Sequence, residues 1–465
     1  MAKISFFGAT RTVTGSRFLL DIQDVRLLID CGLFQGKKEN RLRNWDPFPV
    51  EPAEIDRVLL THAHIDHTGY LPRLFRTGFR GRVHCTRSTE ALSQILLLDS
   101  AHIQMEDAHY ANKRGFSKHA PALPLYRPKD AERVIKLFEP LNYGEDYYIN
   151  DNLRLKFKDA GHILGSAFVE LKANHGDGSR KILFGGDLGR PAQPILRDPV
   201  QVFNVDYLVL ESTYGNRLHV EDENPQERLA RVINESVERG GVLVIPAFAV
   251  GRTQTILYAI RELEESGKIP TLPVFVDSPM AVDATEVFEN RKGDYDLESK
   301  ILEIEGKQIL RPAKLRFTKS RKQSKSISEV QREAIIISAS GMVTAGRILH
   351  HLAERLPNPK NTVLFIGYQA EGTRGRTIQE GQPEVKIHGR MVRVNARVEV
   401  ISGYSGHADY NEILAWLMGF NKPPENTFLV HGEAEASEAL ALKIRKKLGW
   451  KVTVPTFGDS FDLNL

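Results

Sequence analysis

The chain has 465 residues, 41% of them hydrophobic and 26% charged, and its formal net charge is +4 at pH 7. This length exceeds one ordinary hydrophobic core, so two domains are expected, and the composition is that of a soluble globular protein. Cys31 and Cys85 are the only cysteines, which excludes a disulfide framework and favours a reducing cytoplasm. Neither a signal peptide nor a membrane-spanning run of eighteen apolar residues is predicted.

The first sixty residues predict short strands over Lys3–Phe7, Arg17–Asp21 and Val25–Asp30, in a mostly antiparallel arrangement. Directly after the apolar run Val58–Leu60 comes a dense polar cluster that consists of His62, His64, Asp66 and His67. Imidazole and carboxylate groups suit zinc and similar divalent ions, whereas such a cluster has little use in a hydrophobic core. We therefore predict a metal site here, with its remaining ligands supplied by other parts of the chain.

A helix is predicted over Glu90–His109 and a loop over Asn112–Pro128. Three later strands each lead to a polar residue near glycine: Leu153–Lys158 before His162, Lys181–Phe184 before Asp187, and Tyr207–Leu210 before Glu211. One such residue alone could equally serve a turn, and the same holds for Asp30. Because the strand ends repeat the layout at the histidine cluster, we interpret them together as one active-site rim.

Beyond Glu211 the pattern changes to a regular alternation of strands and helices. Asn224 and Pro225 provide a cap and a first-turn proline for a helix. The predicted elements that follow are strand Val242–Ile245, helix Thr253–Glu265, strand Val274–Val276, a helix after Ala281, strand Ala334–Ile337, helix Ile348–Leu356 and strand Thr362–Ile366. This alternation favours a parallel, doubly wound sheet. We interpret the basic stretch Arg316–Lys325 as a solvated loop in preference to a binding site.

The last section returns to strands that end on polar residues. Strand Val392–Ile401 leads toward His407, and strand Thr427–Val430 ends directly at His431. We therefore expect the polar strand ends before and after the alternating region to share one domain, with that region inserted between them.

Taken together, these motifs resemble the metallo-β-lactamase superfamily and, within it, the β-CASP branch. The superfamily pattern is carried by the His-x-His-x-Asp-His cluster with His162, Asp187 and Asp30, and the added β-CASP motifs by Glu211, His407 and His431. Two further segments, Ser340–Arg347 and Gly367–Arg376, also resemble that branch. The most similar group is that of compact bacterial and archaeal relatives of the endonuclease subunit of the pre-mRNA 3′-end cleavage factor.

The resemblance implies an α/β fold in which a metallo-β-lactamase αββα sandwich carries an inserted β-CASP domain with a doubly wound, mostly parallel sheet. The expected division is 1–208 for the first part of the metallo-β-lactamase domain, 209–393 for the β-CASP domain, and 394–465 for the return segment.

The resemblance also implies two zinc ions, one held by His62, His64 and His162, the other by Asp66, His67 and His431, with Asp187 bridging both. Two such ions share and activate a water for attack on phosphorus. Asp66, His407 and Glu211 are the expected catalytic residues, with His407 as general acid supported by Glu211, and Asp30 would orient the histidine loop.

Substrate phosphates are expected to bind in an anion pocket formed by Ser338, Ser340, Gly341 and Ser405, with added charge from Arg376. Turn chemistry alone is the alternative explanation for these residues.

The implied activity is zinc-dependent hydrolysis of RNA phosphodiesters, endonucleolytic, in RNA processing or decay in the cytoplasm. RNA is the expected partner, with no membrane, and a homodimer is one oligomeric state that the sequence leaves open. His431 favours RNA, since DNA-repair members of the branch tend to have an apolar residue at that motif. Two alternatives stay open: a 5′-to-3′ exoribonuclease of the ribonuclease J kind, and a catalytically silent RNA-binding scaffold.

Overall fold

Two compact units make up the computed structural model, which describes residues 2–115, 119–176, 178–219, 224–370 and 372–465. The first unit combines Met1–Leu218 with His407–Leu465, and the second unit is His219–Gly406. The sequence predicts domain boundaries after residues 208 and 393, whereas the two units divide after residues 218 and 406. One residue of the β-CASP-like segment, Glu371, lies outside the described residues.

The amino-terminal segment of the first unit supplies strands to two sheets. Its strands are β1 (Ala2–Phe6), β2 (Phe18–Ile22), β3 (Val25–Ile29), β4 (Arg57–Leu59), β5 (Arg82–Thr86), β6 (Phe138–Leu141), β7 (Tyr147–Asn150), β8 (Leu153–Asp159), β9 (Ala167–His175), β10 (Gly178–Phe184) and β11 (Tyr207–Glu211). Its helices are α1 (Lys38–Leu42), α2 (Ile65–Thr68), α3 (Leu71–Arg76), α4 (Arg87–Arg114) and α5 (Pro128–Ile135).

The second unit alternates strands and helices. Its helices are α6 (Pro225–Glu238), α7 (Arg252–Glu265), α8 (Pro279–Asn290), α9 (Leu297–Ile304), α10 (Arg321–Ser326), α11 (Ile348–Arg355) and α12 (Arg374–Gln379). Its strands are β12 (Val242–Pro246), β13 (Val274–Val276), β14 (Leu315–Phe317), β15 (Ala334–Ser338), β16 (Thr362–Phe365), β17 (Glu384–Ile387), β18 (Arg390–Arg393) and β19 (Arg397–Val400). The chain then returns to the first unit with α13 (Tyr410–Met418), β20 (Asn426–Val430), α14 (Ala434–Leu448), β21 (Val452–Thr453) and β22 (Ser460–Leu463).

The described residues of the first unit form an αββα sandwich. One sheet has the strand order β22-β1-β2-β3-β4-β5-β6 and the other β21-β20-β11-β10-β9-β8-β7. Their inner faces share one core, in which Phe6 and Leu20 pack with Phe157 and Phe184. Helices α3, α4 and α5 cover the outer face of the first sheet, and α13 and α14 cover part of the outer face of the second. The predicted fold class is confirmed.

A six-stranded sheet, in the order β14-β13-β15-β12-β16-β19, forms the centre of the second unit within its described residues. Each of its strand pairs is parallel, as the alternation of strands and helices predicts. Helices α6 and α7 pack on one side of this sheet and α11 and α12 on the other. Within the described part of the chain, no helix combines the length and the hydropathy needed to cross a bilayer.

In the second unit, two predictions of local structure were wrong. The single strand predicted over Val392–Ile401 is split, because the amides of Asn395 and Ala396 both donate to the carbonyl of Leu356 and turn the chain between β18 and β19. The stretch predicted as a loop over Arg316–Lys325 contains most of helix α10, which a capping box between Ser320 and Gln323 stabilises.

Helix α4 is confirmed but runs from Arg87 to Arg114, longer than predicted at both ends. At its start the Thr86 hydroxyl accepts the amide of Thr89, and Gly115 ends it in the left-handed conformation at φ +65°. Asn112 is therefore helical, in contrast to the predicted loop, and residues 116–118 of that loop lie outside the described residues.

Candidate metal centre

The residues that the sequence predicts as metal ligands all belong to the first unit. They converge at one edge of its sandwich. Strands β10, β11 and β20 are neighbours and run parallel, so the residues that follow them meet at the same end of the sheet. Asp187 and His431 follow β10 and β20, and Glu211 is the last residue of β11. The histidine cluster follows β4 in the facing sheet, and His162 lies in the connection between β8 and β9.

Asp187 lies at the centre of this group. Its Oδ2 is 3.4 Å from the Nε2 atoms of both His62 and His162. Its Oδ1 is 3.3 Å from Nε2 of His67 and 3.5 Å from Nδ1 of His431. The carboxylate therefore contacts two pairs of imidazoles, one through each oxygen.

The remaining predicted ligands complete the two groups. The Nδ1 atom of His64 is 3.1 Å from Nε2 of His62 and 3.3 Å from Nε2 of His162. On the other side, Oδ2 of Asp66 is 3.3 Å from Nε2 of His431. Ring nitrogens this close together, with little exposure to solvent, need a cation or a proton between them to offset their repulsion.

Asp30 holds the histidine cluster in place from a fully buried position at φ +57°. Its Oδ1 accepts the backbone amide of Thr61, and its Oδ2 lies 2.8 Å from both the Thr61 hydroxyl and Nδ1 of His67. Because Nδ1 of His67 donates to this carboxylate, Nε2, the atom beside Asp187, is the ring nitrogen that can bind a metal. The position of Asp30 matches the orienting role expected from the resemblance.

Close approach of the backbone next to Asp30 requires a glycine. A Cβ atom on Gly32 would lie 1.6 Å from the carbonyl oxygen of Asp66. The chain on either side of this contact is fixed by hydrogen bonds from the Cys31 amide to the His67 carbonyl and from the Leu33 amide to the Ile65 carbonyl. The glycine thus brings the Asp30 segment directly against the histidine cluster.

Three hydroxyl residues that the sequence analysis did not single out contact the ligands. The Thr213 hydroxyl lies 3.1 Å from Nδ1 of His431 and donates to the His431 carbonyl at 3.0 Å, which supports that residue at φ +47°. Thr61 bonds Asp30 as described, and the Ser16 hydroxyl lies 3.4 Å from Nε2 of His67. For two of them the sequence carried a signal, namely their position next to a predicted site residue: Thr61 precedes His62, and Thr213 follows Glu211 by two positions.

His407 and Glu211 form a pair beside Asp187. Nδ1 of His407 is 3.1 Å from both carboxylate oxygens of Glu211, and Oε1 of Glu211 also accepts the amide of Leu188 at 2.7 Å. Burial would lower the pKa of His407, but the charge of Glu211 and the hydrogen bond to it raise the pKa to about 9. The Glu211 carboxylate thus favours the protonated imidazole, and Nδ1 of His407 lies 3.8 Å from Oδ2 of Asp187.

The protonation of the other residues follows from burial and neighbouring charge. Burial lowers the pKa of His62 well below its ordinary value and that of His64 to about 4. For His67 burial acts in the same direction, but the carboxylates of Asp187 and Asp30 raise its pKa well above the ordinary value. Burial would raise the pKa of Asp66, yet the hydrogen bond from His431 and the charge of His67 bring it to about 2.

These observations fit a site for divalent cations. Within the described residues, the buried Oδ1 of Asp187 accepts no hydrogen bond although two imidazole nitrogens approach it. Three sets of ligand atoms each lie within 4.8 Å of one another: His62 with His64, His162 and Asp187; Asp66 with His67 and His431; and Asp187 with Glu211 and His431. Imidazole and carboxylate are the ligands that zinc accepts, so the residues present suit metal binding.

The residues predicted to bind substrate phosphates belong to the second unit and already have partners within it. The buried Ser338 hydroxyl donates to the carbonyl of Asp277 at 2.8 Å, and the Ser340 hydroxyl bonds the amide of Thr344 at 3.0 Å. Nε of Arg376 donates to Glu380 at 2.6 Å.

Gly341 and Ser405 have equally defined places in that unit. A Cβ atom on Gly341 would lie 2.8 Å from the ring of Phe248, so the aromatic ring packs directly on this backbone. The amide of Ser405 donates to the carbonyl of Ser402 at 2.9 Å. The loop at Gly341 is joined to the helix of Arg376, because the Gly375 amide donates to the Met342 carbonyl.

Three family models match the chain in succession. A metallo-beta-lactamase superfamily domain matches residues 19–185, a Beta-Casp domain matches residues 253–378, and a Zn-dependent metallo-hydrolase RNA specificity domain matches residues 391–455.

Curated relatives match over nearly the whole chain. Ribonuclease TTHA0252 of Thermus thermophilus is 37% identical over 97% of this chain and 98% of its own length. Transcription termination factor FttA of Methanosarcina mazei is 32% identical over 96% of this chain and 69% of its own length. FttA of Thermococcus kodakarensis is 33% identical over 99% of this chain and 71% of its own length.

A solved structure, titled as a protein of unknown function from Enterococcus faecalis V583, has the same fold, with a TM-score of 0.55. It is 12% identical and is matched over 99% of this chain and 100% of its own.

Proposed function

Since this chain belongs to the β-CASP branch of the metallo-β-lactamase superfamily, a group of metal-dependent hydrolases, we propose that it is a zinc-dependent ribonuclease that cuts RNA internally. The observation that carries the proposal is the convergence of seven ligating residues in adjoining groups around the buried Asp187: His62, His64, His162, Asp66, His67, His431 and Asp187 itself. A relative named as a ribonuclease matches from end to end, and the third family model is described as an RNA specificity domain.

In this proposal His62, His64 and His162 would hold one zinc ion, Asp66, His67 and His431 would hold a second, and Asp187 would serve as a ligand to both. Such a pair of ions supplies an activated water and neutralises charge on the phosphate. The chain itself fixes the ligands: Asp30 and Thr61 orient His67, and Thr213 orients His431.

His407 is proposed as the general acid that protonates the leaving 3′ oxygen. Because its Nδ1 is held by Glu211, the proton that it can deliver is the one on Nε2. Glu211 stabilises the protonated ring and is itself fixed by the Leu188 amide. Asp66, a proposed metal ligand, lies 3.3 Å from Nε2 of His431 and adds negative charge to that part of the site.

Phosphate binding in the second unit is proposed at the loop of Ser340 and Gly341, with Arg376 exchanging its partner Glu380 for a phosphate. Ser338 is a weaker candidate, because its hydroxyl is buried and bonded to Asp277. Contacts of this kind position RNA without reading its sequence.

Cleavage mapping with a structured RNA labelled at either end tests the proposal. Internal products from both labels, independent of a 5′ monophosphate, hydroxyl or triphosphate, are expected. Stepwise release of mononucleotides that depends on the 5′ group would instead identify an exoribonuclease. Failure to retain zinc after purification with excess zinc would favour the RNA-binding scaffold. The homodimer stays a prediction that sedimentation analysis can check.

A further inference from the structure

A group of basic side chains lies on the outer face of the second sheet of the first unit. Along β8, residues 154, 156 and 158 alternate with the buried Leu155 and Phe157 and so face outward. Their neighbours on β9 and β10 that share this face include two lysines. We call the five residues the cationic rows: Arg154, Lys156, Lys158, Lys172 and Lys181.

The pairing register of β8, β9 and β10 places like charges side by side in one of these rows. Arg154 is the direct partner of Lys172, and Lys172 is the direct partner of Lys181, so three cations stand side by side across three strands. Like charges directly opposite one another destabilise a sheet. Lys172, in the middle, forms no ion pair with any residue that the structure describes.

The carboxylates near the cationic rows do not balance them. Asp146 lies 3.3 Å from Arg154 and 3.1 Å from Lys156. Glu170 lies 3.0 Å from Lys158 and 3.7 Å from Lys181. A third carboxylate, that of Asp206, accepts the Lys181 amide at 2.8 Å but is paired with Lys422. Among the described residues the five cations thus form ion pairs with two carboxylates, and this face of the sheet carries excess positive charge.

An exposed aromatic residue lies at each end of the row. Tyr148 on β7 is the register partner of Arg154, is 62% exposed, and has its ring centroid 5.8 Å from the guanidinium carbon. At the other end, Phe203 is 47% exposed, and its carbonyl accepts the Lys181 ammonium at 3.5 Å. Strand spacing spreads Tyr148 to Lys181 over about 14 Å. Lysines and arginines between exposed aromatics are what single-stranded nucleic acids bind, through phosphates and stacked bases.

We propose that the cationic rows form an RNA-binding surface outside the metal centre, where phosphates contact Arg154, Lys172 and Lys181 and bases stack on Tyr148 and Phe203. This inference rests on the proposed ribonuclease function, because RNA is the polyanion that the enzyme would handle. Phosphate contacts carry no sequence information, so this surface would hold unrelated RNAs equally well. It also accounts for the retention of an unfavourable row of like charges.

Lys172→Glu tests the proposal, because the two roles of this lysine predict opposite effects. A glutamate between Arg154 and Lys181 turns two repulsive pairs into attractive ones and should raise Tm by about 2 °C. It should also weaken binding of a fluorescein-labelled single-stranded RNA roughly fivefold to tenfold and lower the slope of log K against log salt by about 0.7.

Lys129→Glu, an equal charge change on an exposed residue of α5, is the matched control. Binding is measured in a His407→Ala background, which retains every proposed metal ligand. Equal RNA affinity and salt slope for Lys172→Glu and Lys129→Glu would overturn the proposal, whatever happens to Tm. Should Lys172→Glu fold poorly, Lys172→Gln, which removes the repulsion without adding a charge, must show a smaller loss of the same kind.

Hydrolysis of bis(p-nitrophenyl) phosphate separates this inference from the proposed function. Lys172→Glu should leave that activity unchanged, since the strand partners of Lys172 are Arg154 and Lys181 and none of the three is a proposed metal ligand. If the unaltered protein binds RNA through Lys172 but cleaves neither RNA nor the diester, the ribonuclease proposal fails and the binding surface stands. If it cleaves RNA and Lys172→Glu matches the control, the binding surface fails and the ribonuclease proposal stands.

Discussion

Asp30→Asn is expected to weaken metal binding through a change of histidine tautomer. In the native protein Oδ2 of Asp30 accepts from both the Thr61 hydroxyl and Nδ1 of His67, at 2.8 Å each. Asparagine has nearly the same size but replaces one oxygen by an NH₂ group. Because Oδ1 is fixed by the Thr61 amide, the NH₂ group faces His67 and donates to Nδ1. The ring proton must then move to Nε2, the atom that lies beside Asp187.

A protonated Nε2 cannot bind a metal, so one of the two sites loses a ligand. Loss of a comparable outer partner of a ligating histidine weakens metal affinity about 10- to 100-fold, or about 1.4–2.7 kcal/mol. Zinc titration in competition with a chromogenic chelator measures this, together with zinc content per chain. Asp56→Asn is the control, since Asp56 is exposed and likewise accepts a backbone amide, that of Arg26. Unchanged affinity at both sites in Asp30→Asn would refute the tautomer argument.

Three further perturbations have definite expected outcomes. His407→Ala should slow RNA cleavage at least about 100-fold while zinc content stays unchanged, whereas His102→Ala, on the exposed part of α4, should match the native rate. Gly32→Ala should reduce the free energy of unfolding by about 3 kcal/mol in urea, because its Cβ would meet the Asp66 carbonyl, while Gly293→Ala, with open space around it, should not. Removal of metal with a chelator should lower the Tm of the native protein, because a ligand that binds only the folded state stabilises that state. Addition of zinc should then restore the Tm. A Tm unaffected by the chelator would contradict a metal centre built from these residues.

The centre of the site could be predicted from the sequence because its signal is local. His62, His64, Asp66 and His67 occupy one short segment after a strand, and Asp187 and His431 each follow a strand of their own. Parallel pairing of β10, β11 and β20 then brings the strand ends together, as the topology of the fold requires. Helix α4 was also predicted, although its observed start depends on the cap at Thr86.

Features set by contacts between distant segments could not be predicted in this way. Thr213 acquires a role only because His431, far along the chain, is placed against it. Likewise the row of Arg154, Lys172 and Lys181 depends on the register of three strands, which one-dimensional patterns do not specify. The break at Asn395 arises from a bond to Leu356 in a different element, whereas the missed helix α10 did carry a local signal in Ser320 and Gln323.

The order of the ligands along the chain has a consequence for biosynthesis. During translation His62, His64, His162 and Asp187 emerge first, and His431 emerges only after the whole of the second unit has been made. Strand β20 must then join β11 to bring His431 beside Asp66, and β22 must pair with β1. A partly synthesised chain therefore lacks a complete metal centre. The candidate site is therefore complete only after β20 has been made and has joined β11.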